Sequence, residues 1–261
     1  MATVRPPAVA GLFYPKEPRP LARMIEGYLA AAAGQGGVPR AIIAPHAGYI
    51  YSGPIAASAY ARLRPAKGKV RRVVLIGPAH RVALRGLAVS SARAFDTPLG
   101  PLQVDGEALA RVSALPQVTV LDEAHHLEHS LEVHLPFLIS TLGSVAIVPL
   151  VAGDAAGEDV EEVIELLWDG PETLVVVSSD LSHYYDYRTA RRMDTATSAA
   201  IEALDERAIG YEQACGRVPI AGMIRVARRR GLTARTIDLR NSGDTAGPRD
   251  EVVGYGAYVF D

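Results

Sequence analysis

The sequence predicts an α/β fold: a single domain over residues 1–261, with a central, mostly parallel or mixed β-sheet flanked by helices. Three observations predict it. Short apolar runs that read as buried strands alternate with amphipathic stretches that read as helices. No stretch has the composition of an interdomain linker, and no internal repeat or low-complexity segment interrupts the alternation. Three apolar runs end in histidine-bearing loops: Ala41-Ile-Ile-Ala-Pro-His46, Arg72-Val-Val-Leu-Ile-Gly-Pro-Ala-His80, and Thr173-Leu-Val-Val-Val-Ser-Ser-Asp180 followed by His183. In an open α/β sheet, chemistry gathers beyond the carboxyl ends of the strands, where exposed loops stand on a fixed base.

In chain order, Val9 to Pro15 is a loop with an aromatic pair, and Pro18 to Ala33 a helix with Leu21, Met24, Ile25 and Leu29 on one stripe. Gly34-Gln-Gly-Gly37 ends it. Beyond the His46 loop, Pro54 to Leu63 reads as an alanine-rich helix, with Pro54 in the first turn where its missing N–H costs nothing. Val73 to Ile76 is a buried strand, Gly86 to Ser90 a further strand, and Ala94 to Pro101 an ordered loop rich in turn formers. Val104 to Leu115 holds a helix capped by Asp105. The polar, histidine-dense stretch from Leu121 to His134 leads into the helix Leu135 to Leu142, the strand Val145 to Val151 and the amphipathic helix Gly157 to Trp168. Thr173 to Val177 is the strand that feeds Asp180. Tyr184 to Tyr187 is a turn, Thr189 to Leu204 a long helix, and Ile220 to Arg230 another, after Gly216-Arg-Val-Pro219. Ala234 to Leu239 and Val252 to Phe260 are closing strands, separated by a flexible Asn241 to Asp250.

The composition excludes several classes. With 49% hydrophobic and 21% charged residues the chain is not disordered, and a net charge of -2 gives no general attraction to nucleic acid or an anionic membrane. The basic run Arg228-Arg-Arg230 reads as a solvated helix end whose charge suits the carbonyl terminus. The start, Met1-Ala-Thr-Val-Arg-Pro-Pro, lacks a signal-peptide core, and no apolar run has the length of a membrane span. Together with a single cysteine, which cannot form an internal disulfide, this leads to the expectation of a cytoplasmic protein.

His46, His80 and Cys215 supply two imidazoles and one thiolate, a set that suits Fe(II), copper or Zn(II) and leaves positions open for substrate or dioxygen. Cys215 alone also fits a small core hydrophobe. Its place at the start of a helix, near Arg217, favours the thiolate. Asp180 and His183 fit a supporting or acid/base role, the carboxylate holding an imidazole in one tautomer and the imidazole passing a proton. Ser178 and Ser179 fit backbone caps at the strand end. Glu128-His129-Ser130-Leu-Glu132 reads equally as a catalytic segment and as a helix start, with Ser130 as cap and Glu132 at the positive end of the dipole. His125 and His134, taken singly, read as satisfied or surface residues.

Six stretches, in order, resemble the successive motifs of the Memo family: Val9-Ala-Gly-Leu-Phe-Tyr-Pro15, Ala44-Pro-His-Ala-Gly-Tyr49, Gly77-Pro-Ala-His80, Glu128-His-Ser-Leu-Glu132, Ser178-Ser-Asp-Leu-Ser-His183 and Cys215-Gly-Arg217. The resemblance implies a fold similar to the class III extradiol ring-cleaving dioxygenases, which use non-haem Fe(II). It implies His46, His80 and Cys215 as metal ligands and His183 as the acid/base histidine, with Asp180 in the same motif. A cysteine stands where the dioxygenases have a carboxylate, giving a softer, oxidisable site that also takes Cu(I). The resemblance further implies a place in the AmmeMemoRadiSam system, with radical-SAM and AMMECR-type protein partners.

Three functions compete. The first is an Fe(II) oxidoreductase with His183 moving protons, Asp180 and His129 orienting, and Tyr49, Tyr51, Phe13 and Tyr184 lining a slot for an aromatic substrate. The second is a metal-binding redox or accessory protein without turnover. The third, a hydrolase with Cys215 as nucleophile and His183 as base, ranks last because it leaves His46 and His80 unexplained.

Overall fold

In the computed structural model of the chain, which describes residues 3–32 and 36–261, the sheet is mixed and its centre is parallel. The elements run β1 (Val4–Arg5), α1 (Pro18–Ala31), β2 (Ala41–Ala44), α2 (Tyr49–Ala61), β3 (Arg72–Pro78), β4 (Leu87–Val89), β5 (Ala94–Phe95) and β6 (Leu102–Gln103). There follow α3 (Gly106–Val112), β7 (Val118–Val120), α4 (Glu123–His126), α5 (Leu135–Leu142), β8 (Ala146–Ala152), α6 (Gly157–Leu167) and β9 (Thr173–Ser178). The chain closes with β10 (His183–Tyr185), α7 (Tyr187–Glu202), α8 (Arg217–Arg230), β11 (Ala234–Asn241) and β12 (Val252–Phe260).

The main sheet has the order β10-β12-β2-β9-β3-β8-β4-β7, with β11 also paired to β12. Strands β2, β9, β3 and β8 are parallel neighbours, and β12 and β4 join this block antiparallel on its two sides. The central strands are nearly all apolar because helices cover both faces. Alternation divides them: Ile42, Leu75 and Val176 meet Leu21, Ile55 and Phe137 of α1, α2 and α5, while Ile43, Ile76 and Val177 meet Ile164 and Met223 of α6 and α8. The result is a single three-layer α/β domain. Among the described residues no helix is long and apolar enough to cross a membrane.

Several boundaries differ from the sequence expectation, each for a local reason. Helix α1 buries Leu21, Ile25 and Leu29 as its stripe predicts, and Ala33, Gly34 and Gln35 lie outside the described residues. Helix α2 starts at Tyr49 rather than Pro54, because Phe13 O accepts the Tyr49 N–H at 2.7 Å directly after the His46 turn. Pro54 is therefore interior, where it has no N–H to offer the preceding turn. Helix α7 starts at Tyr187 because Asp186 accepts from Arg188 N–H and Thr189 N–H. Helix α8 begins at Arg217, which puts Pro219 in its first turn. The expected turn at Tyr184 instead carries β10, with Tyr184 itself at φ 63°. The expected loop at Ala94 pairs as β5 with β1, and β7 was not expected at all.

The Asn241–Asp250 connection is tied down rather than flexible: the Asn241 side chain accepts Gly243 N–H at 2.9 Å and Tyr187 donates to Asp244 at 2.6 Å. Glu132 caps no helix. It accepts Ala8 N–H, Val9 N–H and the Tyr14 hydroxyl at 2.7, 2.9 and 2.6 Å and pairs with buried Arg5, fastening the first loop to the body.

Candidate metal centre

The parallel block sets the site. Ala44 of β2 stands opposite Ser178 of β9, Ile76 of β3 stands opposite Val177, and Ser179 N–H continues the register to Ala44 O at 3.0 Å. The three carboxyl ends are therefore level. Two residues beyond them come His46, Asp180 and His80, so side chains as much as 134 residues apart in sequence share one crevice. Cys215 reaches it from the loop before α8, with its N–H on Asp180 O at 3.3 Å. Gly216 allows the approach: a Cβ there would lie 2.5 Å from Ser178 O and 2.6 Å from Ser179 Cβ.

One donor atom from each of His46, His80 and Cys215 lies within 4.8 Å of the other two. His46 Nε2 and Cys215 Sγ are 3.3 Å apart. Two such ligands on one first-row metal, with bonds of about 2.0 and 2.3 Å at a near-tetrahedral angle, would be separated by about 3.3–3.5 Å. The donor set thus fits a metal in its chemistry, and the His46–Cys215 pair fits one in its spacing.

A residue outside the expected ligand set holds His80. Glu128 Oε1 takes the His80 Nδ1–H at 2.9 Å, and Oε2 takes the His80 N–H at 2.6 Å. Burial would raise the Glu128 carboxyl, but these hydrogen bonds, with that from Ser130 N–H, hold it down at about 2. Ionised, Glu128 fixes the proton of His80 on Nδ1 and leaves Nε2 as the lone-pair nitrogen. Its role explains the polar 128–132 stretch better than a helix start does: Ser130 is no cap either, since its hydroxyl donates to Pro78 O at 2.8 Å.

Asp180 does not hold His183. It accepts His46 N–H at 2.7 Å and has an oxygen 3.9 Å from His46 Nε2. Burial pushes its carboxyl up to about 7, partly offset by the His46 N–H bond. Cys215 also departs from expectation. Burial, then the nearby Asp180 carboxylate, push its thiol up, so the helix start does not produce a thiolate. The Arg217 guanidinium lies over the Tyr211 ring, 3.3 Å from its centre.

His129, Asp180 and His183 line one cleft of about 370 Å3, together with Phe13, Tyr51 and Tyr184. Burial holds His129 down at about 4 and lowers His183, so both are neutral at pH 7. The His129 ring stacks on His80 at 4.6 Å and meets Phe13 at 4.8 Å. Tyr49 does not line the cleft: it is buried and donates to Val133 O at 2.6 Å, and Tyr255 takes the expected place. Cys215 lines a different cleft, of about 490 Å3, with Gly153, Asp154 and Arg217. Among the described residues no hydrogen bond joins Cys215 to His183, and the imidazole beside its sulfur is His46, which removes the geometry a Cys215–His183 hydrolase requires. His125 and His134 are satisfied buried residues, as expected of each: His125 Nε2 is 3.1 Å from Ala88 O, and His134 Nε2 is 2.9 Å from Ser178 Oγ, a bond that also ties it to the site.

A family model described as "Memo-like protein" matches residues 5–259. The chain is similar to a MEMO1 family protein of Aquifex aeolicus, 35% identical with 98% of this chain and 99% of that protein covered. It is likewise similar to MEMO1 family proteins of Ignicoccus hospitalis, at 36% identity with 98% of each covered, and Methanopyrus kandleri, at 35% with 98% of each covered. Among solved structures, an uncharacterized protein from Escherichia coli K12 shares the fold, with a TM-score of 0.56 at 14% identity over 84% of this chain and 98% of that one.

Proposed function

The chain belongs to the Memo family, and from that premise we propose that it is a metal-dependent, dioxygenase-like oxidoreductase holding non-haem Fe(II) at His46, His80 and Cys215. The observation that carries this reading is the convergence of those three donor atoms within 4.8 Å beyond the carboxyl ends of β2 and β3. Cu(I) and Zn(II) suit the same donors; Zn(II) supplies no redox chemistry, and Fe(II), with its higher coordination number, keeps more positions open for substrate and dioxygen beside three protein ligands than Cu(I) does.

The chain's own residues account for the rest of the task. Glu128 presents His80 with its Nε2 lone pair free. Phe13, Tyr51 and Tyr184 give the cleft flat apolar walls that suit an aromatic ring. His183, neutral and facing that cleft, takes the proton of a substrate hydroxyl. Asp180, poised at about 7 beside His46, holds or gives up a proton as the charge around it changes. His129, packed between His80 and Phe13, closes the wall nearest the ligands.

Oxygen uptake by the Fe(II)-loaded protein tests the reading. Catechols should drive uptake, and His183→Ala should lower kcat by about 10²-fold while leaving iron affinity unchanged. Iron bound without uptake for any catechol would give the second role, a metal-holding redox or accessory protein acting with radical-SAM and AMMECR-type partners.

A further inference from the structure

We propose that Ser178 and His134 are positioning residues that lock His46 in the tautomer a metal requires, so that the segment from Glu128 to His134 scaffolds both imidazole ligands. The proposal rests on the metal-centre reading for its purpose, though not for its geometry.

The hydrogens follow from counting. Ser178 Oγ has three close polar neighbours: Ser130 O at 2.6 Å, His46 Nδ1 at 2.6 Å and His134 Nε2 at 2.9 Å. A hydroxyl has one hydrogen and two lone pairs. Ser130 O is a carbonyl and can only accept, and two oxygens 2.6 Å apart with no hydrogen between them would repel. The Ser178 hydrogen therefore points at Ser130 O, and both imidazoles must donate to Ser178. His46 carries its proton on Nδ1. Its Nε2 is left as a lone pair facing Cys215.

His134 makes this arrangement hard to reverse. It is 1% exposed, and burial holds it neutral, so it has one N–H. With Nε2–H spent on Ser178, its Nδ1 accepts the Tyr60 hydroxyl at 2.9 Å. If His134 changed tautomer, the phenol would lose its acceptor and Ser178 would have two acceptors for one hydrogen. In the buried core each unmet partner is costly. The chain Tyr60 to His134 to Ser178 to Ser130 is thus closed, and His46 is its one outlet.

The supports of the two ligands meet in one stretch. Glu128 fixes His80, Ser130 anchors Ser178, and His134 fills the remaining lone pair of Ser178. Gly77 lets this stretch lie against β3, since a Cβ there would sit 2.9 Å from Ser130 Oγ. His46 and His80 come from different strands, yet one seven-residue segment sets both rings.

The test reads the tautomer directly, by 15N NMR of histidine-labelled, metal-free protein, with His46→Gln used to assign the His46 signals. Wild type should show His46 as Nδ1–H. Ser178→Ala removes one oxygen and lets the ring move its proton to Nε2, where Cys215 Sγ can accept it, so the Nε2–H signature should appear and Fe(II) affinity fall 10–100-fold. His134→Leu leaves the Ser178–Ser130 bond in place but removes the donor to the second lone pair of Ser178, so it should act in the same direction and less strongly than Ser178→Ala, and His134→Gln, whose amide N–H reaches the place of the ring Nε2–H, should restore most of that loss. A wild-type His46 in the Nε2–H form, or Ser178→Ala with tautomer and affinity unchanged, would overturn the proposal. Absence of Fe(II) binding in wild type would sink the metal reading instead, and the NMR signature would still decide this one.

Discussion

Cys215 faces two opposed demands. Burial and the Asp180 carboxylate favour its protonated form, yet only the thiolate binds a metal. The thiol can rest against the free Nε2 of His46, 3.3 Å away, and must release its proton when a cation arrives. Because its pKa is raised, the proton is still present throughout the neutral range, and the sign follows: binding strengthens as pH rises. The expected outcome is release of about one proton per Fe(II) and about a tenfold gain in affinity per pH unit between pH 6 and 8, measured by anaerobic titration in two weak buffers. Cys215→Ser should lose both. At this scale the sequence was partly readable. His46 and His80 stand out because a proline or a Gly-Pro break delivers each one off an apolar run. The stretches holding Glu128 and Ser178 stood out too, but the roles of Glu128, Ser178 and His134 did not, because they act through hydrogen bonds to residues 48, 132 and 44 positions away, a relation that no local pattern carries.

At the scale of elements, the site depends on how closely the start of α8 approaches β9. The distance is set by Gly216, where a Cβ would come within 2.5 Å of Ser178 O, a backbone atom that cannot yield without disturbing the sheet. Gly216→Ala should therefore push Cys215 off the site, lowering stability by about 1–3 kcal/mol and Fe(II) affinity far more than a comparable substitution at exposed Gly106, where no atom lies within 4 Å of the added Cβ. Thermal unfolding and metal titration of the two variants check this. Strands β2, β3, β8 and β9 were legible from apolar runs bounded by Pro and Gly. The starts of α2, α7 and α8 were not, since each was decided by a contact or cap close to the loop it leaves: Phe13 O for α2, Asp186 for α7, and the Gly216 approach for α8.

For the whole molecule, the topology does what no single motif could. Parallel neighbours β2, β9 and β3 bring three loops level, and the 128–134 segment is hydrogen-bonded to the ends of β3 and β9 and, through Glu132, to the first loop and Arg5. The fold class followed from the alternation of strands and helices, whereas the division of Cys215 and His183 between two clefts appears only in three dimensions. The measurement that bears most directly on this account is anaerobic Fe(II) binding, read as stoichiometry, for wild type and for His46→Ala, His80→Ala and Cys215→Ser. The account predicts one site in wild type that is lost in all three folded variants. Wild type without a site, or unchanged stoichiometry in the variants, would contradict it.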